Sequence, residues 1–462
     1  MDLILTQIIE KVTDMYNEEV TNYTNDLGDI SGFILKIREE LDDIGVFLVK
    51  NVLEIVDELF RESPDRKCNW TIKSKGDEKT LGTILGEVKY KRTYYKNKKT
   101  GEYSYLSDEA VGIEVHDKLD VSFKAKLVEE AIFMPYSRSG EAVSNTLSVT
   151  SQTVMNSIRE LGRIDNKIPG IKQKKKIVKT LFIEADEDHV ALQNGKNAEP
   201  KLVYVHEGKK LISVDRHELI NPRYFSGIFH NSDDLWLEVA DYIYETYEVD
   251  SIEKIYLSGD GASWIKNGLE WIKDSIYVLD RYHLSKYVTR ATAHIDNTTS
   301  LMWKYINCDD KDSVKKLFKT IIKITETETK KKSVKEARRY ILGNWEGIRN
   351  QYQEDYVGCS AEGHVSHILS SRLSSRPLGW CETGVDQMAR LRAFTANGGN
   401  VYELLLDRKN KKTNEAKAIK LNLKIIENRK LPTSHETFGN LAILNTGKRS
   451  ITSRFLRSVR GA

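Results

Sequence analysis

Three stretches in the middle of the chain do most to restrict its fold, because each is a short apolar run that stops at an aspartate. They are Leu181-Phe-Ile-Glu-Ala-Asp186, Ile252-Glu-Lys-Ile-Tyr-Leu-Ser-Gly-Asp260 and Ser275-Ile-Tyr-Val-Leu-Asp280. Runs this short, rich in aromatic and β-branched residues, read as buried strands rather than helices. His189–Gln193 and Lys201–His206 read as two further strands after the first run. Residues 232–248, with Leu235, Trp236, Val239, Ala240 and Ile243 at helical spacing, read as a helix before the second run. Another helix, through Trp264, Leu269 and Trp271, separates the second run from the third. Gly261, directly after Asp260, lets the backbone turn tightly there.

The order strand, strand, strand, helix, strand, helix, strand predicts an α/β core of the RNase H-like type, a mixed five-stranded sheet with flanking helices. In such a core the ends of the first and fourth strands meet at the sheet centre, so Asp186 and Asp260 are expected side by side. Two carboxylates that close repel each other unless a cation lies between them, and hard oxygen ligands suit Mg²⁺ or Mn²⁺. A third acid from a later helix would complete the set. Two ions about 3.5–4 Å apart could then serve the attacking and leaving oxygens of a displacement at phosphorus. Asp188, two residues beyond Asp186, shares its face of an extended strand and is the rival first acid.

The flanking regions carry less chemistry. Residues 1–65 show apolar positions at helical spacing (Ile34, Ile37, Leu41, Ile44, Leu48) and read as a helical segment. Residues 66–165 read as a β-hairpin followed by helices. The hairpin is expected to pair Gly86–Tyr95 with Glu102–Leu106, and Lys89, Lys91, Arg92, Lys96, Lys98 and Lys99 would track phosphates while Tyr90 and Tyr94 pack or stack. Ser148–Arg159 resembles the turn and recognition helix of a helix-turn-helix, with Gln152, Thr153, Asn156 and Arg159 on its polar face. A lysine-rich linker (166–180) leads into the first part of the core (181–286). An all-α insertion (287–356), a segment completing the core (357–400) and a basic C-terminal region (401–462) follow.

With 71 basic and 68 acidic residues the net charge of +3 does not name a partner. The four cysteines lack any C-x-x-C pair, which excludes zinc-ribbon spacing and suits a reducing cytoplasm. The N-terminus has no signal-peptide pattern, and no run approaches the roughly 18 apolar residues of a membrane span. Neither G-x-x-x-x-G-K-[ST] nor a strand-flanked G-x-G-x-x-G is present, so no nucleotide is expected.

Five blocks together carry a resemblance: Ile183-Glu-Ala-Asp-Glu-Asp-His-Val190, Leu257-Ser-Gly-Asp-Gly-Ala-Ser-Trp264, Leu279-Asp-Arg-Tyr-His-Leu284, Ala361-Glu-Gly-His-Val-Ser-His367 and Arg372-Leu-Ser-Ser-Arg-Pro-Leu-Gly-Trp380. They resemble the Lre-type insertion-sequence transposases, a formerly uncharacterised bacterial family related distantly to the Mutator-like elements. The resemblance implies a DDE triad of Asp186, Asp260 and Glu362, two Mg²⁺ or Mn²⁺ ions, and cleavage and joining of double-stranded DNA. Glu382 and Asp386 are the alternatives to Glu362. It further implies that Asp280 and His283 match a C/D-x-x-H signature after the fifth strand. A homo-oligomer on DNA is expected, because pairing two element ends needs two active sites. So is a cytoplasmic protein, nucleoid-associated when bound. Arg372 and Arg376, four residues apart on the helix of Glu362, are expected to face the DNA, or else to pair with Glu382 and Asp386.

Two other readings compete. Leu181–Val190 also fits the Asp-x-Asp opening of haloacid-dehalogenase-like phosphatases, but Asp260 lacks the second aspartate those enzymes need nearby. The chain could also be a transposase-derived DNA-binding protein whose acids are idle. Metal-dependent nicking of DNA separates that binder from the enzyme.

Overall fold

The computed structural model describes residues 2–411 except 26, 144–146, 148, 171–173, 214–215 and 377, with the backbone alone for 2–8 and 216. The expected turn residue Ser148, Lys172 of the linker, Pro377 and the basic region from 412 onward lie outside the described residues. The elements below belong to the unit Met1–Leu404.

Two helices open the chain, α1 (Asp2–Asn25) and the long α2 (Ile30–Glu62), whose start is capped by the Asp29 carboxylate accepting from the Gly32 N–H. A hairpin follows, built from β1 (Trp70–Thr83) and β2 (Gly86–Asn97), and it corrects the sequence reading. The main partner of β2 is the preceding segment, Thr83 facing Gly86, whereas the expected partner adds only Tyr103 and Ser104 against Lys96 and Tyr95. Trp70–Thr83 escaped notice because charged residues break its alternation and its register shifts twice before Asp77. Two supposed DNA contacts are also interior. Tyr90 donates to Asp108, 2.7 Å away, and Arg92 is paired with the same buried carboxylate. Lys89, Lys91, Lys96, Lys98 and Lys99 are exposed.

Three short helices come next: α3 (Val121–Ala131), α4 (Tyr136–Val143) and α5 (Ser151–Glu160). They pack through Phe123, Leu127, Val128, Val154 and Ile158. Thr150 caps α5, its hydroxyl accepting from the Thr153 N–H.

The central sheet has five strands: β3 (Thr180–Glu187), β4 (Lys201–His206), β5 (Arg223–Gly227), β6 (Lys254–Gly259) and β7 (Ser275–Leu279). Their order in space is β5-β4-β3-β6-β7. β3, β6 and β7 run parallel, while β4 is antiparallel to β3 and β5 antiparallel to β4. The expected strand His189–Gln193 is not part of this sheet. Val190 and Ala191 pair with Ala198 and Asn197, Leu192 bridges to Trp380, and the third sheet strand is Arg223–Gly227, a five-residue run whose flanking arginine and glycine hid it. Alternation along β3 sorts its side chains. Leu181, Ile183 and Ala185 point to one face, covered by α6 (Ser232–Thr246) through Leu235, Trp236, Val239 and Ile243. Phe182, Glu184 and Asp186 take the other.

After β7 the chain enters the helical insertion: α7 (Arg281–Thr292), α8 (Thr298–Asn307), α9 (Lys311–Ile324) and α10 (Glu328–Gly343). These share a core of Leu284, Val288, Met302, Phe318, Ile321, Val334 and Ile341. The chain then returns to the sheet with α11 (Ala361–Val365), which runs through a π-helical turn at Ser366–Ser370, and continues to α12 (Glu382–Ala396), packed against the edge strand β5. Among the described residues no helix is long and apolar enough to cross a membrane.

Candidate metal centre

The parallel register fixes the first two acids. Ser258 of β6 lies opposite Glu184 of β3, so Asp260 and Asp186, two residues further along each strand, emerge at the same level. Gly259 makes this closeness possible, since a Cβ there would come within 2.9 Å of the Ala185 carbonyl oxygen. On the far side of β6 the Asp280 N–H donates to the Gly259 carbonyl at 2.8 Å, which puts a third aspartate at the end of the adjacent strand. Three parallel strands thus deliver three carboxylates to one rim of the sheet.

Asp280 does not join the cluster directly. It caps α7 by accepting from the Tyr282 and His283 N–H groups, and its Oδ2 lies 2.9 Å from His283 Nδ1. The carboxylate must accept there, so Nδ1 carries the proton and Nε2 is left to face away from Asp280. His283, Asp186 and Glu362 each offer a ligand atom, and these atoms all lie within 4.8 Å of one another. Asp260 stands beside this group, its Oδ1 accepting from the Ala262 N–H at 2.8 Å.

The electrostatics reflect the crowding. Burial pushes the Asp186 carboxyl up to about 7; the Glu187 N–H and the His283 ring pull it back, while the charges of Asp260 and Glu362 add to the rise. For His283, burial opposes the charged ring, but the hydrogen bond to Asp280 and the charges of Asp186 and Asp260 outweigh it, so the ring is held above its ordinary value. Two carboxylates and one imidazole clustered together, with the Asp260 carboxylate beside them adding negative charge, fit a divalent cation of the Mg²⁺ or Mn²⁺ kind.

The helix bearing Glu362 is placed by a residue that the sequence reading missed. Glu184, two residues before Asp186 and on the same face, is 1% exposed. Its carboxylate accepts from the Tyr204 hydroxyl, from His206 Nε2 at 3.1 Å, and from both the N–H and the hydroxyl of Ser360, with Lys209 Nζ at 3.5 Å. Ser360 is the residue at which α11 begins, so this hub fixes the helix start over β3 and Glu362 over the rim. Burial alone would raise the Glu184 carboxyl, but His206, Lys209 and Tyr204 outweigh it and bring it down to about 2. The one signal in the sequence was a glutamate inside an otherwise apolar strand.

Other expected site residues lie elsewhere. Asp188, beyond the end of β3, accepts from the Ser374 hydroxyl and the His189 N–H, both at 2.9 Å, and is not one of the clustered donors. Glu382 lies 3.7 Å from His230, and Asp386 accepts from Arg390 and from the Ile228 N–H. Arg372 is a correction. It is 4% exposed, its Nε donates to the Ala131 carbonyl at 2.8 Å, and its guanidinium lies over the rings of Tyr136 and Trp380. It is therefore interior, and its partners are the Ala131 carbonyl and two rings rather than Glu382 or Asp386; a π-helical turn lies between it and Glu362. Arg376 is exposed. On α5, Gln152, Asn156 and Arg159 are exposed, Gln152 donating to Asn156 at 2.9 Å, and Thr153 is half-buried against Thr150.

The comparisons agree over nearly the whole chain. The model of an uncharacterised protein family, UPF0236, matches residues 24–410. Two UPF0236 proteins of Caldanaerobacter subterraneus subsp. tengcongensis are similar at 42% identity, one over 100% of this chain and 98% of its own length, the other over 97% and 99%. A third, from Streptococcus gallolyticus and named for the vanSb 3′ region, is 27% identical over 68% of this chain and 72% of its own. The chain belongs to the UPF0236 family.

Proposed function

We propose that this protein is an insertion-sequence DNA transposase with an RNase H-like catalytic core and a DDE triad of Asp186, Asp260 and Glu362. The observation that carries the reading is the convergence, on one rim of the sheet, of Asp186 and Asp260 from adjacent parallel strands and Glu362 from a helix laid over them, with the Asp186 carboxyl up at about 7. An acid held in that state gains from a divalent cation, and Asp186, Asp260 and Glu362 would hold it, with His283 adjacent. The strand order, with β3 central and β4 antiparallel to it, is the order an RNase H-like sheet requires. A further support comes from the relatives, since one of them carries a string of separate locus designations within a single strain. A gene that multiplies within its host genome is what a mobile element produces.

Bound Mg²⁺ or Mn²⁺ would activate the attacking water or 3′-hydroxyl and stabilise the leaving oxygen of an in-line displacement at a phosphodiester. The residues do the rest. Asp280 fixes the tautomer and tilt of the His283 ring, leaving Nε2 as its unprotonated nitrogen. Glu184 fixes the start of the Glu362 helix. The exposed face of α5, with Gln152, Asn156 and Arg159, offers base-edge donors and acceptors for recognising element ends, while the hairpin lysines offer phosphate contacts. One phosphodiester is exchanged for another, so no nucleotide is consumed.

Metal-dependent nicking of plasmid DNA by the purified protein tests the proposal. It should be present with Mg²⁺ or Mn²⁺ and lost in Asp260→Asn, with folding unchanged. A protein that binds DNA but never nicks it under these conditions would instead be a binder with idle acids.

A further inference from the structure

The second acid is held from outside the sheet. Asp260 lies just past the end of β6, and Gly261 after it stands at φ +94°, where a glycine passes between conformations at little cost. The peptide joining the two can therefore flip unless its carbonyl is held. Tyr340, in the last turn of α10, holds it, the phenol hydroxyl donating to the Asp260 carbonyl from 80 residues further along the chain. The ring is itself fixed, stacked on Tyr287 of α7 with centroids 3.7 Å apart and planes 16° from parallel.

The residue that follows α10 grips the same turn. Asn344 is buried, and its amide packs over Gly261, where a Cβ would come to 3.0 Å from the Asn344 Oδ1. That amide is locked by accepting from Lys266 Nζ at 2.7 Å and donating to the Tyr340 carbonyl at 2.9 Å. Further on, Gln351 donates to the Leu279 carbonyl at 2.7 Å, directly before Asp280, the residue that orients His283. The Asp260 carboxylate is anchored within the turn by the Ala262 N–H at 2.8 Å, so its direction follows from how the turn is set.

We propose that Tyr340 is a positioning residue of the metal centre: by holding the Asp260–Gly261 peptide it sets where the Asp260 carboxylate stands beside Asp186, His283 and Glu362, and thereby the affinity for the cation. This role rests on the reading of the rim as a cation site. Tyr256 supplies the contrast. It lies on β6 four residues before Asp260, and its hydroxyl also meets residues that follow the insertion, Gln353 Oε1 at 2.7 Å and Asp355 Oδ1 at 2.6 Å, but away from the turn. If the hydroxyls only steady β6, the two tyrosines are equivalent. If one of them places Asp260, it is Tyr340.

Mn²⁺ binding by the full-length protein, read from the electron paramagnetic resonance of the free ion, tests this without DNA or turnover. Tyr340→Phe keeps the stack on Tyr287 and removes only the hydroxyl. It should raise the Mn²⁺ dissociation constant about 10-fold, as loss of a group that orients a metal ligand does, whereas Tyr256→Phe should leave it unchanged. In the metal-free protein, hydrogen exchange at the Ala262 amide should quicken in Tyr340→Phe and not in Tyr256→Phe. Wild-type Mn²⁺ affinity in Tyr340→Phe, or unchanged exchange at Ala262, overturns the positioning role and leaves the cation site in place. Equal losses of affinity in the two variants overturn it as well, since both hydroxyls would then be general supports of β6. A wild type that takes up no Mn²⁺ removes the cation site itself, and the role of Tyr340 with it.

Discussion

Glu184 and Asp186 sit two residues apart on one face of one strand, both buried, and the protein treats them in opposite ways. Glu184 is surrounded by donors: a tyrosine, a histidine, a serine and a lysine converge on it and draw its carboxyl down to about 2. Asp186 receives one neighbouring N–H and otherwise faces acids and a histidine, and it rises to about 7. A buried carboxylate whose partners are all supplied by the chain holds the fold together. One left short of partners among its own kind is where, on the proposed reading, a cation would bind. The same division separates the arginines. Arg372 spends its guanidinium on a buried carbonyl and two rings, whereas Arg376 is exposed.

The sharpest way to break this contrast is to remove the rim acids. Asp186→Ala and Glu362→Ala should each lower metal-dependent strand cleavage by at least about 10³-fold, a loss of several kcal/mol of transition-state stabilisation, while DNA binding survives. Near-normal cleavage by Glu362→Ala in a nicking assay would return Glu382 or Asp386 as the third acid.

Glu184→Gln should act on stability instead. It strips the charge that His206 and Lys209 are built around and should cost about 3–5 kcal/mol in chemical denaturation, as breaking a buried ion pair does. An unchanged denaturation midpoint would mean the hub is not what places the Glu362 helix.

Arg372→Ala should cost roughly 1–3 kcal/mol through the stranded Ala131 carbonyl, without altering the salt dependence of DNA binding. A shallower salt slope with no loss of stability would restore Arg372 as a DNA contact.

A smaller effect concerns pH. The folded protein holds a proton on Asp186 more tightly than the unfolded chain, whose aspartates titrate near 3.9. The stability associated with that proton is full below about pH 4 and is lost as pH rises through about 7. Without divalent metal, melting temperature should therefore fall between pH 5 and pH 8 more in the wild type than in Asp186→Asn. Mg²⁺ should recover part of the difference at pH 8 in the wild type alone. Parallel pH profiles for the two proteins would show that Asp186 is not under strain.

The smallest expected change is in Arg376→Ala, which should flatten the logarithmic salt slope of DNA binding by about one unit and leave the melting temperature in place. A lowered melting temperature with an unchanged slope would make Arg376 structural.

The sequence by itself determined the elements whose signal is local. Apolar runs ending in aspartate gave β3, β6 and β7, and helical spacing gave α2, α6 and the insertion, because strand burial and helix amphipathicity are each written in neighbouring residues. Tertiary structure decided what depends on who lies opposite whom. It gave the third sheet strand to Arg223–Gly227 rather than His189–Gln193, and the hairpin partner to Trp70–Thr83. It made Asp280 the holder of His283 rather than one of the clustered donors, and it turned Arg372 inward onto the Ala131 carbonyl. Glu184 shows the limit best. As a letter it is one more acid in a strand, and only the arrival of Tyr204, His206, Lys209 and Ser360 from three other places in the chain, over up to 176 residues of separation, makes it the anchor of the site. A side chain's role is set by the donors and charges around it, and those are assembled by packing, not by neighbours in sequence.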